Sequence, residues 1–139
     1  MSRNKVIPIN SNEQIKAKLR TAVGRTLAQY GFSTCNEGLV AQGAGVKRIN
    51  IFRFFGGLPG LVSAFGDCGQ FWPTTEELLQ ETQASFPDIT PEEQMSAFFK
   101  SLLLCLRRRP QTLDILAWET LERNELSRRL EDVRGRTAL

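Results

Sequence analysis

From Ser11 to Gly135 the apolar residues recur at intervals of three and four, and capping residues, glycine and proline part the runs. That is the helical period, and no convincing strand pattern interrupts it, so the chain is expected to be all-α with about seven helices. Ser11 opens S-N-E-Q, in which a serine hydroxyl and a glutamine three residues on form a reciprocal capping box. Ile15, Leu19, Ala22, Val23, Leu27 and Tyr30 then form one stripe as far as Gly31, which predicts a first helix over about 11–30. Residues 1–10, with Pro8 and no period, read as a flexible arm. Asn36 caps a short second helix through Leu39, Val40 and Ala41 that stops at the tight turn Gly43-Ala44-Gly45. A third runs from Lys47 to Phe54, with Ile51 and Phe55 on one face, Ile49 and Arg53 roughly opposite, and Asn50 and Phe52 flanking.

Pro59 suits the first turn of a fourth helix carrying Leu61, Val62, Phe65, Cys68 and Trp72. Its glycines at 60, 66 and 69 make it dependent on tertiary contacts. Thr74-Thr75-Glu76-Glu77 is a second capping box, starting a short helix that ends before Pro87, and Thr90-Pro91-Glu92-Glu93 is a third. Behind it, Met95, Phe98, Phe99, Leu102, Leu103 and Leu106 make the densest apolar stripe of the chain, and this helix is expected to be the most buried. Arg107-Arg108-Arg109 at its end reads chiefly as cations favoured by the helix dipole, with a nucleic-acid patch as the alternative. Pro110 begins a final long helix with Leu113, Leu116, Ala117, Thr120 and Leu121 inward, and with Arg123, Glu125, Arg128, Arg129 and Glu131 outward, stopping near Gly135.

Composition excludes more than it includes. The 139 residues contain no histidine, which removes His-based nucleophile triads, His general bases and His-bearing zinc sites. Cys35, Cys68 and Cys105 are odd in number and widely spaced, so neither a disulfide framework nor a thiolate metal site is expected. No catalytic residue, metal site or cofactor follows from the pattern. No apolar run reaches the length of a membrane span and the N-terminus lacks an export signal, so a cytoplasmic protein without membrane contact is expected. The net charge of +3 hides a split: residues 1–66 hold nine Lys/Arg against two Asp/Glu, a sum of +7, and residues 67–139 hold nine against thirteen, a sum of −4. A basic N-terminal half points to a polyanionic partner for that end only.

Three short helices in the first 55 residues, the last two joined by a glycine turn on the basic half, make a helix-turn-helix natural. Its third helix would turn Lys47, Arg48, Ile49, Asn50 and Arg53 to DNA, where arginine pairs with guanine, asparagine with adenine, and an aliphatic side chain meets the thymine methyl. On the residues alone, a plain helical bundle with a solvated basic face stands beside this reading. From Ile15 to about Phe65, however, the chain resembles the N-terminal domain of the TetR family of bacterial transcriptional regulators. Ala44 to Leu61 reads A-G-V-K-R-I-N-I-F-R-F-F-G-G-L-P-G-L against the family's A-G-V-S-x-x-x-L-Y-x-Y-F-x-s-K-e-x-L, with Gly31-Phe32 matching G-Y and Val40-Ala41 matching I-A. The stretch R-R-P-Q-T-L-D-I-L-A-W-E-T-L-E-R-N-E-L-S-R-R-L also resembles a C-terminal-domain helix of some members.

The resemblance implies a homodimer that binds a palindromic operator in double-stranded DNA, commonly as a repressor, and releases it when a small-molecule effector enters the C-terminal domain. It implies a DNA-binding set of Asn36, Lys47, Arg48, Ile49, Asn50, Phe52, Arg53 and Phe54. It also divides the chain into the arm at 1–10, a helix-turn-helix domain at 11–57 and a helical regulatory and dimerisation domain at 58–139, connected by helix four. Phe52 stands where a phosphate-binding Tyr is usual and Leu58 where a Lys is, which predicts weaker and less salt-dependent DNA binding than a full-motif relative has. Members are commonly longer, so the C-terminal domain is expected to be shortened and to dimerise by another surface, such as the charged ladder of the final helix. No ligand residue is assigned, because Phe71, Trp72, Phe98, Phe99 and Trp118 read as core rather than as a pocket. The rival reading is a degenerate helical protein–protein interaction module that no longer binds DNA.

Overall fold

The computed structural model describes residues 7–74, 76–78 and 90–138. Among them there is no strand, and seven helices have full bounds: α1 Ile7–Tyr30, α2 Glu37–Ala44, α3 Ile49–Phe55, α4 Leu58–Asp67, α5 Pro91–Arg107, α6 Pro110–Leu121 and α7 Glu125–Ala138; residues 76–78 are also helical. The all-α expectation holds. No single described helix is long and apolar enough to cross a membrane.

The core is built where the apolar stripes of α1, α4, α6 and α7 meet. Leu19, Val23 and Leu27 of α1, Leu61, Val62 and Phe65 of α4, Ile115 of α6 and Leu130 of α7 are all fully buried in one continuous cluster. Burying each such side chain contributes about 1.5–3 kcal/mol before chain entropy is charged against it. The α4–α7 interface is the most extensive, with Leu130 and Val133 seated over Gly66, where a Cβ would lie only 3.0 Å from Val133.

After α4 the chain turns through Phe71, whose ring packs against Phe65 at 5.6 Å and whose carbonyl accepts a hydrogen bond from the Thr112 hydroxyl. The Arg109 guanidinium holds this turn by donating to the Gly69 and Gln70 carbonyls, both at 3.2 Å, and to Glu77 at 2.7 and 3.0 Å. One member of the arginine triplet is therefore a structural staple. A second, more buried pair, Arg134 with Glu119 at 2.7 Å, ties α7 to α6 while the guanidinium lies over Trp72.

Four expectations change. The first helix starts at Ile7 rather than Ser11, because Pro8 sits in a first turn where its missing N–H costs nothing; residues 1–6 of the expected arm lie outside the described residues. Helix four stops at Asp67, before Gly69 at φ +84°, so Trp72 belongs to the turn. The long final helix is two. Glu122 is extended, and Asn124 caps α7 by accepting from the Leu126 and Ser127 N–H groups while its own N–H donates to the Ser127 hydroxyl. On α6, Thr112, Ile115 and Glu119 face inward and the expected inward residues Leu113, Ala117, Thr120 and Leu121 are exposed; α7 itself continues past Gly135 to Ala138.

The fourth change is the largest: α5, expected to be the most buried helix, is the least. Only its small Ser101 and Cys105 are buried, whereas Met95, Phe99 and Leu103 are 63%, 54% and 62% exposed. The second capping box does form, with the Glu77 N–H on the Thr74 hydroxyl at 3.1 Å, but the helix expected from it as far as Pro87 lies largely outside the described residues.

Candidate nucleic-acid interface

Asn36 begins the site as the N-cap of α2, its side-chain oxygen accepting the Leu39 N–H at 2.9 Å. At the other end of α2, Gly45 adopts the left-handed conformation, φ 70° and ψ 30°, which any residue with a Cβ would strain to reach. The chain then re-enters a helix at once: the Asn50 and Ile51 N–H groups bond the Lys47 and Arg48 carbonyls at 3.1 and 3.0 Å. Val40 and Ala41 of α2 and Ile51 of α3 are buried in the core, which sets the two helices against α1 and α4. Neighbouring positions on α3 diverge sharply, Ile49 being 63% exposed and Ile51 0%.

That packing sorts the candidate residues. Lys47, Arg48, Ile49, Phe52, Arg53 and Asn36 are exposed, and Asn50 is half-buried at the edge of the same surface. Phe54 is half-buried, with Arg53 5.3 Å and Lys16 of α1 5.4 Å from its ring centre, so it holds two cations at the border of the exposed face. Lys16, which also pairs with Glu13 at 3.3 Å, is a neighbour that the spacing within α3 does not reveal. Lys18 and Arg25 are a second addition: with Ala17 and Thr21 they line a shallow groove on α1 ending at Ala44, the last residue of α2. Leu58, in contrast, is a core residue, 5% exposed at the start of α4, so the phosphate-binding lysine of the family pattern has no counterpart on the surface there.

The loop into α2 is gripped from the far end of the chain. The Glu122 carboxylate accepts the Phe32 and Ser33 N–H groups at 2.7 and 3.1 Å, and Asn124 donates to the Phe32 carbonyl at 3.1 Å. Trp118 adds its indole N–H to the Ala28 carbonyl at 3.0 Å. The bond from Ser33, then that from Phe32, holds the Glu122 carboxyl below the usual carboxylate range. Gly31 makes this docking possible: at φ +84°, its Cβ would stand 2.5 Å from the Glu122 carboxylate and 2.6 Å from the Trp118 ring.

Nearby Cys35 is buried; burial first, and Glu37 second, push its thiol up to about 12, far from a reactive thiolate. Of the five aromatics expected in the core, Phe71 is fully buried and Trp72 and Trp118 pack against the core, but Phe98 and Phe99 stand exposed on α5, whose inward side is made by smaller residues.

Comparison with known proteins yields no matching family model and no matching curated protein. The fold is similar to the crystal structure of a TetR family transcription regulator from Marinobacter aquaeolei VT8, with a TM-score of 0.58 and 16% identity over 93% of this chain and 67% of that one. At that identity the likeness is one of fold alone.

Proposed function

We propose that this chain is a DNA-binding transcription regulator, a repressor that binds a palindromic operator as a homodimer with α3 in the major groove. Residues 11–57 are its DNA-binding part and 58–139 its regulatory and dimerisation part, with α4 as connector. The observation that carries the reading is the split around α3, in which Ile51 is anchored in the core while Lys47 and Arg48 of the preceding turn and Ile49 and Arg53 of the helix are exposed to solvent. Arg48, Ile49 and Asn50 read base edges; Asn36, Lys47, Phe52, Arg53 and Phe54 meet or border the backbone. With no lysine at position 58 and no hydroxyl at 52, binding is weaker and less salt-dependent than in a relative carrying both.

Selection of duplexes from a random pool by the native chain, followed by anisotropy titration, tests the reading. The expected result is a palindromic preference that Arg48→Ala with Asn50→Ala erases, at about 1–3 kcal/mol for each lost base contact. Retention of no duplex at low salt overturns it and leaves the protein-interaction module, a reading that the exposed apolar face of α5 and the loss of two phosphate-binding side chains favour.

A further inference from the structure

The exposed stripe of α5 has no counterpart elsewhere among the described helices. Met95, Phe99 and Leu103 follow one another at i, i+4 and i+8, flanked by Phe98, Leu102 and Leu106, while the side that faces the rest of the protein is made by Ser101 and Cys105. The stripe therefore centres about 140° from the packed side, at 100° per residue, so it points largely away from the rest of the protein. A monomer in water rarely leaves so continuous an apolar surface uncovered. The ends of the same helix are oppositely charged, with Glu92 and Glu93 in the first turn and Arg107 in the last.

We propose that this stripe is the surface on which a second copy of the chain docks, through antiparallel pairing of the two α5 helices about a two-fold axis at Phe99. Two features of α5 select that occupant and that direction. The stripe is symmetric about Phe99, four residues from Met95 on one side and four from Leu103 on the other, so antiparallel packing sets Phe99 on its own copy and Met95 on the second copy's Leu103. The charges agree: antiparallel ends bring Glu92 beside the second copy's Arg107 twice over, whereas parallel ends would oppose glutamate to glutamate and arginine to arginine. A 17-residue helix is about 25 Å long, so this contact falls at the small end of specific interfaces. The inference rests on the proposed function for the dimer's purpose, but it concerns α5 alone and needs no DNA.

Sedimentation equilibrium of the native chain without DNA is the test. The expected result is a species of twice the 15.7 kDa chain mass, whose dissociation constant rises at least tenfold in Leu103→Glu. In a Cys68→Ser background, which removes the exposed native thiol, Phe99→Cys is expected to form an intermolecular disulfide under mild oxidation and Leu104→Cys, on the other side of α5, to form none. A chain that stays monomeric, a dimer indifferent to Leu103→Glu, or equal cross-linking at 99 and 104 overturns the inference; in the first case the stripe awaits a partner of different sequence. A monomer that still binds duplex DNA overturns this inference alone, and a dimer that binds none overturns only the DNA reading.

Discussion

Helices α3 and α5 both turn large side chains to solvent, but of opposite chemistry. On α3 and the turn that leads into it the outward residues are Lys47, Arg48, Ile49 and Arg53, and the helix is pinned by fully buried Ile51. On α5 they are Met95, Phe99 and Leu103, and the inward residues are too small to contribute much apolar burial. A charged face is stable in water by itself, whereas an apolar stripe of this length is stable only when something covers it. Helical period thus identifies a stripe without saying what it faces. On α3 the stripe is the anchor, and on α5 it is the surface.

The contrast predicts unequal responses to the same truncation. Leu130→Ala, in the core of α7, is expected to destabilise by about 3 kcal/mol, while Leu103→Ala, at concentrations too low for pairing, stays within about 0.5 kcal/mol of the native chain. Urea unfolding of the two variants measures this, and equal losses would mean that α5 is a core helix after all. Next in size is Gly31→Ala, which forces a side chain into the left-handed region and against Glu122 and Trp118. It should lose about 1–2 kcal/mol from the backbone alone, and a fully stable variant would show that the loop is not gripped as described. Asn36→Ala removes the α2 cap at about 1 kcal/mol, and amide exchange in α2 should quicken well beyond that in α1.

The smallest effect is a pH dependence. Glu122 titrates below its ordinary 4.5 in the folded chain, so its contribution is fully present above that value and is lost as pH falls through the lower, folded one. Glu77 behaves alike: partial burial raises its carboxyl, but the bonds from Thr74 and Arg109 outweigh it and the net direction is down. Thermal unfolding followed from neutral pH into the acid range should lose part of its acid slope in Glu122→Gln, and an unchanged profile would remove Glu122 from the account.

What was legible in the chain divides along the same line. The helix-turn-helix is local, and its signals are local: an asparagine cap at 36, a left-handed glycine at 45, and the Ile51/Phe55 spacing. The exposed face of α3 follows from them. The break between α6 and α7 was less visible, because Asn124 with Ser127 three residues on is a weak cap signal inside a run that keeps helical period. The grip of Glu122 on Phe32 and Ser33 joins positions about 90 residues apart, and no spacing encodes it. Leu58 shows the opposite hazard. A motif position that marks a phosphate contact in a family is here filled by a residue that the core has taken.

The central claim is that the outward face of α3 meets DNA, and its most direct test is the affinity for duplex DNA as a function of salt for the native chain, Lys47→Ala and Arg53→Ala. The account predicts affinity that falls steeply as salt rises, with the slope of log K on log salt reduced by about 0.9 for each cation removed from a phosphate. A native slope near zero, or a slope that both substitutions leave unchanged, would contradict it.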